Sequence, residues 1–433
     1  MQFGRNLKND GDGGIPPSPL HISDTAAEKG FDRGTHRLIS PSETLNKIKP
    51  YLLEMGITRV ANITGLDRIG VPVFAVYRPN ARSIAVSQGK GLTETAARVS
   101  GIMEAIESFH AEHLQLPLIL ASADEMAQTR LIADTDALPR LSVSNFSVDK
   151  PLLWCEGDDM LSDRETWVPY EMVHTNYTRP LPTGSGNFLM SSNGLASGNH
   201  RLEAINHGIC ELVERDALAL WSLQGGTANP VGRMDLCSLR DPDCRDVLEK
   251  LQRAEMTVAV WDISTDIGIA SFVCCLVDKQ SNHLGQFYSS HGSGTHPSRN
   301  IALLRALTEA AQTRLTYIAG ARDDAHRDMF DLSRNPDRIA QVNRDLAETA
   351  RGPLRQFENT PDYSGQSLDD DLSHLLQQLK AVGIKQTIAI DLQSRIPDMA
   401  FVRVIIPGLE GLHDAPGYIP GRRAQEILKS KTV

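Results

Sequence analysis

The segment Ser87–Glu107 reads S-Q-G-K-G-L-T-E-T-A-A-R-V-S-G-I-M-E-A-I-E, and the repeats of the chain are organised around it. It predicts a glycine-rich turn followed by a helix, because apolar residues recur at helical spacing over 99–109. Ser100, Glu104 and Glu107 stand at i, i+4 and i+7 and therefore share a second face of that helix. We expect this face to be covered too, so its two carboxylates need cations or hydrogen bonds.

The same pattern occurs twice more in the chain. Gly198–Glu214 aligns without gaps on Gly91–Glu107, glycine on glycine and glutamate on glutamate. A third copy begins at Ile301 and has Glu309 and Gln312 at the two acidic positions. One carboxylate pair on a helix is usually a solvated face. Three such pairs in one register, each after a segment of small residues, indicate a shared site instead.

The residue types in this pattern point to one kind of chemistry. Glycine-rich turns that enter helices present free N–H groups and the positive end of the helix dipole, which suit phosphate. Clustered carboxylates suit Mg²⁺, a cation that prefers oxygen ligands and bridges to substrate phosphates. The sequence therefore predicts a nucleotide–magnesium site built from three helices.

Composition narrows the class of protein. The chain has 433 residues, of which 41% are hydrophobic and 23% charged, as in an ordinary globular protein. A net charge of −10 gives no general attraction to nucleic acid or anionic membranes. The six cysteines form no C-x-x-C pair, so neither a zinc site nor a disulfide scaffold is expected. No apolar run has membrane-spanning length and no hydrophobic signal core is visible, so we expect a cytoplasmic protein.

The arrangement of elements along the chain predicts the fold class. Helix–strand–strand patterns recur over 41–79, 245–278 and 371–407, which indicates duplicated units. We expect an α+β (mixed α/β) fold whose sheets are assembled from these units, with the carboxylate helices at the centre. Neither the dinucleotide-binding G-x-G-x-x-G after a strand nor the P-loop motif is present.

The domain limits follow from composition. Residues 1–35 are rich in Gly, Pro and Asp, and we expect a disordered N-terminal arm there. Residues 36–433 are expected to form one domain, in which the charged segment 320–365 is a peripheral insertion and not part of a site. The turn-rich segment 408–423 is either a surface turn or a functional segment near the site.

The ordered set of motifs resembles one known family. G-L-D-R-I-G-V-P-V, S-Q-G-K-G-x-T, S-x-x-x-E-x-x-E, S-N-G-L-A-S-G-N followed by E-x-x-E-R-D, and R-x-x-x-E-x-x-Q occur in this order from Gly65 to Gln312. Together they are similar to the YcaO family, and the resemblance extends from about Thr35 to the C-terminus. It implies a YcaO-like fold with ATP and, we expect, two Mg²⁺ ions held between sheets by the repeated helices.

The resemblance also implies roles for individual residues. The expected magnesium ligands are Glu104, Glu107, Glu203, Glu211 and Glu214. The expected nucleotide-binding residues are Arg37, Thr44, Ser100, Ala196, Asn199, Glu203, Arg305, Glu309 and Gln312. Glu104, Glu211 and Arg305 are the expected catalytic residues. Arg37 stands where the family often has a lysine. His207, at the position equivalent to Ser100, is either a site residue or a structural histidine.

The family activates a peptide backbone amide with ATP and forms azolines, macroamidines or thioamides. This chain lacks the terminal P-x-P-x-P motif of azoline-forming members and is most similar to YcaO proteins that work with TfuA partners. We therefore expect backbone thioamidation of a peptide or protein by a homodimer with a TfuA-like partner. The alternatives are an azoline-forming cyclodehydratase and a non-catalytic ATP-binding accessory factor. A metal-dependent hydrolase is a weaker option, because no His-rich ligand set is visible.

Overall fold

The structure is a computed structural model that describes residues 27–279, 289–324, 327–411 and 416–431. Its α-helices are α1 Pro41–Ile48, α2 Glu94–Glu112, α3 Ala123–Ala127, α4 Arg201–Leu223, α5 Pro242–Arg253, α6 Arg299–Ala319, α7 Arg327–Ser333, α8 Pro336–Thr349, α9 Leu368–Ala381 and α10 Arg422–Ser430. Its strands are β1 Arg59–Asn62, β2 Val73–Tyr77, β3 Val86–Lys90, β4 Ile119–Ala121, β5 Leu152–Asp159, β6 Arg164–Pro169, β7 Leu195–Gly198, β8 Met256–Asp262, β9 Ser271–Asp278, β10 Ser289–Thr295, β11 Ile388–Leu392 and β12 Ala400–Ile405.

Within the described ranges the strands form three antiparallel sheets. One has the order β1-β2-β3, one has the order β10-β9-β8, and the largest has the order β4-β5-β11-β12-β7, with β6 paired to β5. The mixed α/β fold and its duplicated units, as predicted from the sequence, are confirmed. None of the helices in these ranges combines the length and the hydrophobicity that a bilayer crossing requires.

Each unit consists of a helix, three strands and a carboxylate helix. Two units follow the chain: α1-β1-β2-β3-α2 and α5-β8-β9-β10-α6. The third is assembled out of chain order, because α9-β11-β12 is completed by β7 and α4 from earlier in the sequence. The three carboxylate helices α2, α4 and α6 each follow an edge strand of their own sheet.

The predicted glycine-rich turns are wrong, because these segments are largely edge strands. S-Q-G-K lies in β3, S-S-H-G-S-G in β10, and L-A-S-G forms β7. The small residues are required for close helix–strand packing: a Cβ on Gly89 would meet the backbone nitrogen of Gly101 at 1.9 Å. In the third copy a Cβ on Gly294 would meet the carbonyl oxygen of Ala302 at 2.2 Å. Helix α2 instead begins after its N-cap Thr93, whose side chain accepts from Ala96 N–H.

Each carboxylate helix rests on a hydrophobic cluster. Ile102 and Ile106 of α2 are fully buried against the largest sheet and β2. Leu303 and Leu307 of α6 pack in a second cluster with β8 and β9. Ile205, Ile209 and Val213 of α4 join a third with α9 and β12. This burial fixes the rotation of each helix and turns its second face toward the space between the sheets.

The expected N-terminal arm is corrected in part. Residues 1–26 lie outside the described residues, but residues 27–40, which we call the N-terminal strap, are anchored to α9. Lys29 and His36 both contact the buried carboxylate of Asp371, at 2.7 and 3.3 Å. Ala27 N–H donates to Asp369 on the same helix at 2.8 Å.

Candidate active site

A cavity of about 570 Å³ lies between α2, α4 and α6. All but one of the residues predicted for the site line it: Arg37, Thr44, Ser100, Glu104, Glu107, Asn199, Glu203, Glu211, Glu214, Arg305, Glu309 and Gln312.

Ala196 is the exception. It is fully buried in the hydrophobic cluster beneath α4 and pairs with Val402 of β12. Because side chains alternate along a strand, its neighbour Ser197 faces the cavity instead. The motif therefore supplies Ser197 to the cavity wall and Ala196 to the core.

Glu104, Glu211 and Glu309 occupy the same position in the three repeats. The carboxylate of each lies against the backbone at the edge strand that precedes its helix. Glu211 accepts from Gly194 N–H at 3.0 Å, and Glu309 accepts from Ser293 N–H at 3.1 Å. The backbone of Gln88 lies close enough to Glu104 to lower the pKa of that carboxyl. One oxygen of Glu211 and one of Glu309 are thus fixed, while the carboxylates still line the cavity. The three helices present carboxylates in one repeated geometry.

The second acidic positions are held by hydroxyl and amide groups. Ser197 Oγ donates to Glu107 at 2.5 Å, and Ser293 Oγ donates to Glu214 at 2.8 Å. Gln312 Nε2 donates to the carbonyl oxygen of Gln88 at 3.1 Å. Neutral partners orient the side chains of Glu107 and Glu214 without forming ion pairs with them.

Three of the carboxylates are short of counter-ions. Within the described residues, no Lys, Arg or His nitrogen lies within 4.0 Å of the carboxylates of Glu104, Glu107 or Glu214. Burial raises the pKa of all three, and the pKa of Glu107 reaches about 8. A site that penalises its own negative charges is suited to a divalent cation.

The described residues contain no group of three or more His, Cys, Asp or Glu side chains already gathered as metal ligands. The carboxylates that line the cavity nevertheless suit Mg²⁺ by their chemistry, because Mg²⁺ prefers oxygen ligands, keeps several waters and is bound by one or two carboxylates together with substrate phosphates. Glu203 differs from the others, because its oxygens already accept from Asn199 N–H and from Leu38 N–H of the strap. Glu203 therefore holds the strap against the cavity that it lines, and its role as a magnesium ligand stays a prediction.

The cavity also has a basic side. Arg305 Nη1 lies 3.1 Å from His207 Nδ1, Lys90 pairs with Glu309 at 2.7 Å, and Arg37 lies 3.8 Å from Glu203. Burial opposes the ionisation of Glu309, but the ammonium of Lys90 outweighs it and lowers the pKa of that carboxyl. Cationic groups therefore face the carboxylate-rich wall.

Lys90 and Arg322 also line the cavity, although sequence reasoning did not assign them. Lys90 stands inside a motif that was interpreted as a phosphate-binding turn. Arg322 belongs to the segment 320–365, which was expected to be peripheral. That expectation is wrong for its first residues, because Arg322 faces the same space as Glu104 and lowers the pKa of that carboxyl in opposition to burial. The charged sequence after α6 has no helical or strand periodicity, so the position of Arg322 beside the cavity could not be predicted from it.

The sequence predicts that the turn-rich segment 408–423 is either a surface turn or a functional segment near the site. The described residues of this segment, 408–411 and 416–423, do not reach the cavity lining. Arg423 pairs with Asp216 near the middle of α4 at 3.0 Å, and Glu410 accepts from Gly421 N–H and Ala424 N–H. Residues 412–415 lie outside the described residues. The described tail thus anchors α10 on α4.

In Mg²⁺-free buffer we expect the free energy of unfolding to fall as pH rises from about 5 to 8. The folded pKa of Glu107, about 8, lies above the usual value of 4.5, so the folded state binds the extra proton in this range. Glu107→Gln removes this titration and should flatten the decline, measured by thermal denaturation across the pH series. Identical slopes for both proteins would contradict the raised pKa, and Mg²⁺ should restore stability at pH 8 more in the original chain.

The sequence comparisons agree with the geometry. Residues 88–410 match the family described as YcaO cyclodehydratase, ATP- and Mg²⁺-binding. An uncharacterized protein encoded in the tfuA 3′ region of Rhizobium leguminosarum bv. trifolii is 36% identical over 379 residues, covering 86% of this chain and 88% of that protein. An uncharacterized protein of Methanothermobacter thermautotrophicus is 36% identical over 396 residues, covering 90% and 99%.

Solved structures share the fold. The structure of YcaO from Methanopyrus kandleri bound with AMPPCP and Mg²⁺ matches at a TM-score of 0.70 and 22% identity, covering 91% of this chain and 98% of that one. A heterocyclase in complex with substrate and cofactor matches at a TM-score of 0.76 and 22% identity, covering 94% of this chain. This chain spans 56% of the heterocyclase. ATP and Mg²⁺, the cofactors expected from the sequence, are those of the matched family. With most of its length matched by that family and by relatives above 30% identity, the chain belongs to the YcaO family.

Proposed function

We propose that this protein is an ATP- and Mg²⁺-dependent enzyme that activates a peptide backbone amide and converts it to a thioamide. The observation that carries the proposal is the single cavity in which counter-ion-poor carboxylates from α2 and α4 face Arg305 of α6. Such a cavity suits a polyphosphate that is held through a divalent cation. The carboxylates can bind the cation, and Arg305 can bind the phosphates.

The acidic and basic residues of the cavity have different proposed roles. Glu104, Glu107, Glu211 and Glu214 would hold Mg²⁺, and Arg305 would contact the phosphates. Bound ATP and Mg²⁺ supply the chemistry that turns the amide oxygen into a leaving group. The carboxylates are fixed beforehand by backbone and hydroxyl donors, so little reorganisation is needed when the ligands bind.

The proposed reaction balances as a substitution of sulfur for oxygen. A sulfide sulfur adds to the amide carbonyl carbon, and the resulting oxyanion takes the γ-phosphoryl group of ATP. The carbon–oxygen bond then breaks, phosphate leaves, and loss of a proton gives the thioamide and ADP. No covalent protein nucleophile is required, because positioning and charge neutralisation supply the catalysis.

One observation supports the thioamide over other products, and a second concerns the source of its sulfur. A relative at 36% identity is encoded in a tfuA 3′ region, which supports a TfuA-like partner for this chain as well. Five of the six cysteines are buried, and burial raises the pKa of each of their thiols: Cys155, Cys210, Cys244, Cys274 and Cys275. Cys237, the sixth, is exposed but lies outside the cavity lining. Because a sulfur carrier needs an accessible thiolate beside the reacting amide, we propose that sulfide is delivered by a separate protein.

The second candidate is an azoline-forming cyclodehydratase. It is favoured by the fold shared with a heterocyclase at a TM-score of 0.76. In that reaction the nucleophile is a Cys, Ser or Thr side chain of the substrate, so no external sulfide is consumed. A non-catalytic ATP-binding accessory factor would bind the nucleotide and release no ADP with peptide.

Mass spectrometry of the peptide product separates these candidates. The protein is incubated with ATP, Mg²⁺, sulfide and a TfuA-like protein. Each short peptide encoded beside the gene of this protein is tested in turn as the substrate. Replacement of oxygen by sulfur is expected to raise the peptide mass by about 16 Da, with one ADP formed per modified amide. A sulfide-independent loss of about 18 Da would identify the cyclodehydratase instead. Nucleotide binding without ADP formation would support the accessory factor.

A further inference from the structure

The three carboxylate helices carry different residues at one equivalent position. Ser100, His207 and Arg305 each stand one helical turn before a repeated glutamate. These glutamates are Glu104, Glu211 and Glu309. All three line the cavity. The repeat therefore brings a hydroxyl, an imidazole and a guanidinium into corresponding places around one space, and two of these groups meet.

Arg305 contacts His207 across the boundary between α6 and α4. Arg305 Nη1 lies 3.1 Å from His207 Nδ1. A guanidinium can only donate, so His207 Nδ1 is the acceptor and the ring proton is on Nε2. This leaves four of the five guanidinium N–H groups of Arg305 for other partners.

The partner of Arg305 is neutral, unlike those of the neighbouring cations. Lys90 is paired with Glu309, and Arg37 lies beside Glu203. Within the described residues Arg305 has no carboxylate oxygen within 4.0 Å. A carboxylate would orient the guanidinium but cancel its charge. An imidazole orients it without an ion pair, and Arg305 acts on the carboxyl of Glu214 only at longer range, where it lowers the pKa of that group.

The surroundings keep His207 in the acceptor form. Burial, together with the charges of Arg305, Arg37 and Lys90 and the nearby His296, lowers the pKa of His207 well below its usual range. Protonation would put a cation against the guanidinium and remove the acceptor. The contact with Arg305 and the lowered pKa of His207 therefore both indicate a neutral ring that accepts a hydrogen bond at Nδ1.

We propose that His207 is a positioning residue, which accepts a hydrogen bond from Arg305 and holds that guanidinium, without an ion pair, toward the phosphates of the bound nucleotide. This rests on the proposed nucleotide site and not on the identity of the product. A residue that acts only through Arg305 must lose its effect when Arg305 is absent.

A double-mutant cycle tests this dependence. The dissociation constant of AMPPCP with Mg²⁺ is measured by calorimetry for the full chain, His207→Leu, Arg305→Gln and the double variant. His207→Leu is expected to weaken binding roughly 10-fold alone and less than about 2-fold in the Arg305→Gln background. His207→Asn, whose amide oxygen can stand in for Nδ1, should stay within about 3-fold of the original chain.

The controls separate positioning from packing. His374→Leu changes a half-buried histidine on α9 that stacks on Tyr363 outside the cavity lining, and it should leave nucleotide affinity unchanged. Melting temperatures of all variants report their folding. Equal losses from His207→Leu in both backgrounds, or a folded His207→Asn as weak as His207→Leu, would overturn the proposal. Neither readout uses peptide or sulfide, so the proposal stands or falls separately from the thioamide product.

Discussion

Glu104→Gln and Glu211→Gln are each expected to abolish Mg²⁺-dependent nucleotide binding, with a loss of roughly 100-fold or more in affinity. The amide keeps the shape of the side chain and can still accept the backbone hydrogen bond that holds each residue to its edge strand. It removes the charge and is a far poorer ligand for a hard divalent cation. The measurement is calorimetric titration of AMPPCP in the presence of Mg²⁺ and, separately, of EDTA.

A matched control makes the result specific. Glu249 is exposed on α5, away from the cavity lining, so Glu249→Gln changes net charge by the same amount and should leave affinity unchanged. Thermal denaturation should show that Glu104→Gln is not destabilised without ligand, since burial raises the pKa of Glu104 and its neutral form is favoured in the fold. Unchanged affinity in both site variants would refute the carboxylate site.

Gly89→Ala is expected to prevent stable folding, with a cost of more than about 3 kcal/mol. The added Cβ would lie 1.9 Å from Gly101 N and 2.3 Å from the carbonyl oxygen of Ala97. Both contacts are backbone atoms, so α2 must move off β3 as a body. The free energy of unfolding is measured by denaturant titration, and soluble yield gives a first indication.

Gly65→Ala is the control for this substitution. Gly65 lies in the loop before β2, and a Cβ there meets nothing within 4 Å. We expect a change of less than about 0.5 kcal/mol. Equal stability of the two alanine variants would contradict the close strand–helix packing described for the repeats.

The sequence predicted which side chains lie together around the cavity better than it predicted the elements that carry them. Helical spacing fixes which residues share a face, so the register of Glu104, Glu211 and Glu309 was readable from the repeat alone. The same small residues allow two interpretations, a phosphate-binding turn or a strand that a helix approaches closely. Local sequence does not separate them, because the deciding contact, such as Gly89 against Gly101, joins different elements.

Other features depended on long-range contacts. The strap is ordered by Asp371, more than 300 residues away in the chain, which composition at the N-terminus does not reveal. Ala196 and Ser197 could be told apart only once the strand that contains them was placed against β12. Helix α6 ends at Ala319 with a left-handed C-cap at Gly320, and Arg322, two residues later, lines the cavity.

The out-of-order third unit has a consequence for biosynthesis. Strand β7 and α4 leave the ribosome about 200 residues before β12, on which they pack. At 5–20 residues per second this delay is roughly 10–40 s. During it, the apolar side of α4 has no β12 to cover it and is a natural target for chaperones. Glu211 and Glu214 reach their places only after β12 is made, so an unfinished chain cannot complete the cavity.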